Sequence, residues 1–207
     1  MLAYKFRTVE RLDFLIDIVF NKRLYCCRSN LLNDIREADV RVGNDPGREH
    51  QVIDFGKQVT KRIRELRVCS LCKSFNNHLL WAHYAGGYSG VAVEVEVADQ
   101  DLAEVIYDNG FIFLSDLIDR GTADDAARNV LAKKYEDWKY EEEVRIITDT
   151  EFYSLDNPIR RIIVGSRTSP ALVSALYLIC SHFGVALDRM VVADWGIYTV
   201  GAQPSHL

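Results

Sequence analysis

The sequence predicts an α+β domain with a mixed, mainly antiparallel sheet and flanking helices. Three observations carry that expectation. Short β-rich runs and amphipathic helical runs succeed one another irregularly, without the steady βαβ order of a doubly wound sheet. A length of 207 residues, 48% hydrophobic and 27% charged, fits one domain over 1–207 with a sizeable core. No internal repeat, low-complexity tract or Pro/Gly/Ser linker divides the chain.

In chain order, AYKFR (Ala3–Arg7) predicts a first strand, with Tyr4 and Phe6 on one face and Lys5 and Arg7 on the other. Thr8 stands where an N-cap opens a helix striped by Leu12, Leu15, Ile16 and Val19, which Asn21-Lys22 ends. RLYCC predicts a second strand. The polar, turn-rich NLLNDIREADVRVGNDPGRE predicts a loop or lid. Gln51 to Leu66 forms a helix with Val52, Phe55, Val59 and Ile63 along one side, and RVCSLCKSF a strand after it. NNHLLWAHYAGGYSG is a short helix ending in paired glycines. It feeds GVAVEVEV, where Val91, Val93, Val95 and Val97 alternate with Ala92, Glu94 and Glu96. A short strand at Val105-Ile106-Tyr107, a helix over 123–134, and strands at WKYEEEVRII and IRRIIVG follow. Ser169 and Pro170 cap and open an apolar helix reaching about His182, and MVVADWGIYTV supplies the last strand.

The net charge of −5 argues against a global attraction to nucleic acid or anionic membrane, while leaving room for a local basic cleft. No defensible metal-nuclease pattern accompanies it. The opening MLAYKFRTVERLDF lacks the signal-peptide pattern, and the apolar ALVSALYLIC is too short to span a bilayer. A cytoplasmic protein with no membrane partner is expected. Five cysteines, odd in number and irregular in spacing, predict no disulfide framework. CSLC has a metal-site spacing, but the adjacent Cys26-Cys27 chelates poorly and no His pair completes a site, so no metal is expected.

Chemistry concentrates in a few places. Read as a strand, WKYEEEVRII puts Glu141, Glu143 and Arg145 on one face. They form either a solvated edge with an ion pair of little worth, or a carboxylate pair beside a cleft walled by Trp138 and Tyr140. A carboxylate so placed stabilises an oxocarbenium-like transition state. Lys5 and Arg7, alternating with Tyr4 and Phe6, suit either a charged edge strand or an anionic ligand such as a pyrophosphate. In WAHYAGGYSG, Trp81, His83, Tyr84 and Tyr88 either wall a base or nicotinamide pocket or belong to the core. VGSRTSP lacks the glycine spacing of a P-loop and reads as a strand-to-helix turn.

Several segments together resemble a known family. YKFR, RLYCC, LLND, CSLC, NHLLWAHYA, VIY and WKYEEEVR occur in an order similar to that of the bacterial domain-of-unknown-function family 2971, from Tyr4 to about Gly165. The chain departs from it at Asn33-Asp34-Ile35-Arg36, where the family has an Asn-Asp-Pro-Phe-like turn, and at Tyr88-Ser89, where it often has a second His. The order of a basic first strand, helix, aromatic strand and glutamate strand is similar, more distantly, to that of ADP-ribosyltransferases. That resemblance implies NAD as substrate, no metal, and an acceptor that is a protein or a nucleic acid. It implies that Glu143 stabilises the nicotinamide-ribose cation and Glu141 positions the acceptor. Arg7, with Lys5 beside it, engages the diphosphate. Tyr25 or Tyr84 packs on nicotinamide, with Trp81, His83 and Trp138 completing the cofactor site. The expectation is an NAD-dependent ADP-ribosyltransferase-like enzyme, a bacterial toxin or defence effector. The alternative is a non-catalytic nucleotide-binding or protein-interaction domain of a defence system.

Overall fold

The computed structural model describes residues 1–34, 36–157 and 159–203. Nine strands form its main sheet: β1 (Leu2–Arg7), β2 (Cys27–Arg28), β3 (Arg67–Cys72), β4 (Val91–Glu96), β5 (Leu102–Glu104), β6 (Glu143–Thr148), β7 (Arg161–Val164), β8 (Ala186–Ala193) and β9 (Gly196–Gly201). Their order is β9-β8-β7-β4-β1-β3-β6-β5, with β2 as a further partner of β3. Every pair is antiparallel except β7–β8. That parallel pair needs a long crossover, which the helix over Pro170–Phe183 supplies. The helices are α1 (Leu12–Asn21), α2 (Glu49–Glu65), α3 (His78–Tyr84), α4 (Leu114–Leu117), α5 (Ala123–Leu131) and α6 (Pro170–Phe183). The architecture is α+β, as the irregular order of elements predicts.

Helices cover both faces of the sheet. On one, α1 and α6 bury Leu15, Ile18, Val19, Val173 and Leu176 against Val91, Val93, Val95, Leu71, Val144 and Ile146. On the other, α2, α4 and α5 enclose Val68 with Val59, Ile63, Leu117 and Val130, and α3 packs beside them on Tyr4, Phe6, Ala92 and Ile163. The period-two alternation of β4 sorts its valines to the first face and Ala92 to the second. Glu94 is therefore buried too, and it accepts from Tyr4 Oη at 2.8 Å and Arg161 Nε at 2.9 Å.

Four expected boundaries move. WKYEEEVRII is not one strand: a 3-10 turn covers Glu136–Glu141, Glu142 is left-handed at φ 44°, and β6 begins at Glu143. MVVADWGIYTV folds into the β8–β9 hairpin, turning at Asp194-Trp195, where Gly196 takes φ 133°. RLYCC splits into a strand over Arg23–Tyr25, paired with Phe152–Ser154, and β2. The helix from Ala123 stops at Leu131, because Lys133–Lys134 leaves it to pair in parallel with Ile106–Tyr107. Across 29–48, Ser29–Leu31 forms a 3-10 turn, Val40–Arg41 pairs with Ile112–Phe113, and the other described residues form no further helix or strand. Of the segment Asn33-Asp34-Ile35-Arg36, Ile35 lies outside the described residues. Among the described residues no helix is long and apolar enough to cross a membrane.

Candidate functional site

The site begins as a split in the sheet. β1 pairs with β4 along its whole length, from Leu2 opposite Glu96 to Arg7 opposite Val91. It meets β3 at one position only, Tyr4 opposite Cys72. Further along β3 its edge is taken instead by β2, with Cys27 opposite Val68. The wedge between opens a cleft of about 390 Å³, lined among others by Lys5, Arg7, Tyr25, Tyr84, Glu141 and Glu143. Six of the nine residues expected at a site from sequence therefore line one cavity.

The cationic wall comes from β1. Lys5 Nζ donates to Ser70 O at 2.6 Å across the wedge, so its ammonium is part of the frame. Arg7 is different. Its Nε is buried without a hydrogen-bond partner, and among the described residues it has no ion pair. Its guanidinium lies 5.0 Å from the Phe14 ring centroid, and burial holds its pKa below the ordinary arginine range. An unpartnered guanidinium facing a cavity is a ready anion site. Phe14 also packs on Tyr25, ring centroids 5.1 Å apart, to make an aromatic shelf beside it.

The carboxylate wall is a buried charge cluster. Glu141 and Glu143 converge because the left-handed Glu142, exposed, separates a 3-10 turn from a strand; simple strand alternation does not bring them together. Lys134 Nζ bridges them, 2.5 Å from Glu141 Oε2 and 2.7 Å from Glu143 Oε2. Arg145 Nε donates to Glu143 Oε1 at 2.7 Å, its Nη2 lies 3.0 Å from Glu37 Oε1, and its Nη1 donates to Leu131 O. Tyr84 Oη donates to Glu141 Oε1 at 2.5 Å, and the Glu143 N–H donates to Tyr107 Oη at 2.7 Å. With the Glu143 side chain 1% exposed and Arg145 0%, the solvated-edge alternative is overturned. Three carboxylates thus face two cations. One Glu37 oxygen, Oε2, is buried with no partner.

These neighbours set the protonation states. Burial alone would push the Glu143 carboxyl up, but Arg145 and Lys134 together hold it at about 2, so it is ionised. Burial wins at Glu141 and at Glu37, whose carboxyls both lie above the ordinary range despite the cations nearby. Burial, reinforced by Glu141, raises Tyr84, which keeps its hydroxyl a donor. Burial opposes the charge on Lys134, yet Glu143 and Glu141 hold its pKa up.

Three expected cofactor residues lie off the cleft. Trp81 is wholly buried, its indole N–H donating to Phe75 O at 2.6 Å and its ring edge-on to Phe6, so it is core beneath β1. His83 is exposed beside Tyr84 and Tyr140. Trp138 is outside the cleft lining, with its ring centroid 5.2 Å from the Lys134 ammonium. Two residues of the site carry no sequence signal. Lys134 sits on a two-residue strand, and Glu37 comes from the irregular loop expected to act as a lid, which also lends Leu31, Leu32 and Asn33 to the lining.

The WAHYAGGYSG turn is architectural. A Cβ on Gly90 would come within 2.2 Å of Arg7 O, so only glycine lets this turn close over the end of β1. Among the described residues no group of three or more His, Cys, Asp or Glu side chains is arranged to hold a metal ion. No family model, no curated protein and no solved structure matches the chain.

Proposed function

We propose that the chain is an NAD-dependent ADP-ribosyltransferase-like enzyme that cleaves the nicotinamide–ribose bond in this cleft, as a bacterial toxin or defence effector. One observation carries the reading: a single cavity holds an unpaired guanidinium, Arg7, and the edge of a buried cluster in which three carboxyl groups meet two cations. NAD offers a diphosphate to the first and a ribose that turns cationic to the second. Nicotinamide leaves as a neutral molecule when the electron pair of the N–C1′ bond goes to its ring nitrogen, so no strong general acid is required. Catalysis then rests on positioning and on fixed charge aimed at the oxocarbenium ion.

In this scheme the ionised Glu143 stabilises the cation. Glu141, when ionised, takes the proton of the acceptor as its oxygen or nitrogen bonds C1′, a role its raised pKa suits. Glu37 Oε2 is free to accept from a ribose hydroxyl. Tyr25 and Tyr84 offer rings for nicotinamide.

A second reading is a nucleotide-binding domain without turnover. It is favoured by the hydrogen bonds that pin both Glu143 oxygens to Arg145 and Lys134.

Release of free nicotinamide from NAD, with cell extract as acceptor, separates the two. We predict release by the parent protein, a rate at least about 100-fold lower for Glu143→Gln, and about 10–100-fold slower transfer for Glu141→Gln. Saturable NAD binding without release supports the second reading, and absence of binding removes both. Stability needs a control. An amide at 143 must turn toward one of two cations and costs about 3 kcal/mol, or roughly 6–12 °C in Tm. At 141 the Tyr84 hydroxyl can reverse and accept, which keeps the loss near 1 kcal/mol. Assays belong well below both melting points.

A further inference from the structure

A second cavity, of about 860 Å³, lies between α2 and the strand edge at β2–β3, lined by Arg28, Lys57, Lys61, Arg64 and Arg67 with two carboxylates, Glu65 and Asp149. In a chain of net charge −5 this is a concentrated cationic surface. The two carboxylates do little to neutralise it, because both turn to Arg62 outside the groove, Asp149 at 2.6 Å and Glu65 at 3.6 Å. Lys57 is held by Asp54 at 2.7 Å, and Lys61 keeps only a distant Glu65 at 3.8 Å. Among the described residues Arg28 and Arg64 have no ion-pair partner, and Arg67 has Glu151 at 4.0 Å.

The register sharpens the point. Arg28 stands directly opposite Arg67 on adjacent antiparallel strands. Like charges at that position repel and weaken the pairing, a cost that the distant Glu151 and a long bond from Arg67 to Cys26 O offset little in the free protein. An anion between them removes it. On α2, positions 57, 61 and 64 follow the i, i+4, i+7 pattern of one helical face, a row of cations spanning about 10 Å.

We propose that this groove binds the phosphate backbone of a nucleic-acid strand. The site is a trough whose cations succeed one another, which suits a ligand with regularly repeated charges. Its other walls are mainly aliphatic, from Val40, Val42, Ile53 and Leu114, and among the described residues no aromatic ring lines it. Bases therefore find nothing to stack on, and binding is to backbone, without sequence preference. The groove adjoins the cleft, since Cys27 and Val68 line the cleft while Arg28 and Arg67 line the groove. The proposal does not depend on NAD chemistry and is tested by binding alone.

The experiment is fluorescence anisotropy of a labelled single strand of about 12 nucleotides with the full chain, at about 50 and 200 mM salt. Neutralising four phosphates predicts an affinity about 50-fold lower at the higher salt. Arg28→Glu combined with Arg64→Glu is expected to weaken binding at least about tenfold at low salt. Lys61→Glu, at a side chain 78% exposed, is expected to weaken it by a smaller factor and guards against misfolding of the double variant. Binding indifferent to salt, or unchanged in these variants, overturns the proposal. So does an acidic peptide of equal charge that competes as well as the oligonucleotide, which would assign the groove to a protein partner. Loss of oligonucleotide binding with nicotinamide release intact supports a separate site.

Discussion

Arg7 sits where folding alone gives no reason to put a guanidinium. Its Nε is buried and unpartnered, so the folded state carries a partly desolvated charge that only the Phe14 ring face offsets. Its neighbour on the same face, Lys5, is bonded to Ser70 O and belongs to the frame. The two cations, indistinguishable in YKFR, thus have different roles. We predict that Arg7→Met raises Tm by about 2–4 °C, as removal of an unpaired buried charge requires, and weakens NAD at least about tenfold in a titration. Opposite signs in stability and binding are the mark of a residue kept for a ligand. A lower Tm would instead make Arg7 structural, and unchanged affinity would remove it from the site.

At the scale of elements, α3 braces the two walls of the cleft. Asn77 is its N-cap, accepting from the Leu79 N–H at 2.9 Å, while its Nδ2 donates to Tyr140 O at 2.8 Å in the turn that carries Glu141. The far end of the helix leads into the glycine turn that closes on Arg7 O. Losing both bonds in Asn77→Ala costs about 2 kcal/mol, and Tm is expected to fall by about 4–8 °C. Asn77→Ser restores the cap but not the reach to Tyr140. It should recover roughly half of that stability and none of the lost nicotinamide release, whereas full recovery of activity would leave the brace without a role in positioning. The same elements show what a sequence can disclose. Period-two alternation made the faces of β1 and β4 legible, and with them Lys5 and Arg7. Glu141 and Glu143 stand out in the sequence by their chemistry, although the segment that carries them is a 3-10 turn, a left-handed Glu142 and a strand start. Trp81 reads equally as ligand wall or core until burial decides. Lys134 and Glu37 were out of reach, because a two-residue strand and an irregular loop have no periodicity, and only tertiary pairing brings them to the glutamates.

Over the whole molecule, the three buried carboxyl groups of the cleft make stability a function of pH in opposing directions. Glu143, held at about 2, adds stability above the unfolded carboxyl range that is lost as pH falls toward that value. Glu37 and Glu141 are raised by burial, so their contribution is complete below the unfolded value and is lost as pH rises through their folded ones. At neutral pH the fold therefore bears the burden of carboxylates that are costly to ionise. Glu37→Gln isolates it: the amide keeps an oxygen for Arg145 and sets its NH2 where Oε2 has no partner. We predict no change in Tm near pH 4, where the wild-type carboxyl is protonated, and an increase of about 2–4 °C at pH 8. A shift equal at both pH values, or a fall at pH 8, would show that Glu37 is satisfied as an anion. A negative charge that destabilises the resting protein is useful only to a ligand that brings or develops a positive one. The Glu37→Gln variant is accordingly expected to gain stability at pH 8 and lose nicotinamide release together, the same trade that Arg7 makes on the opposite wall.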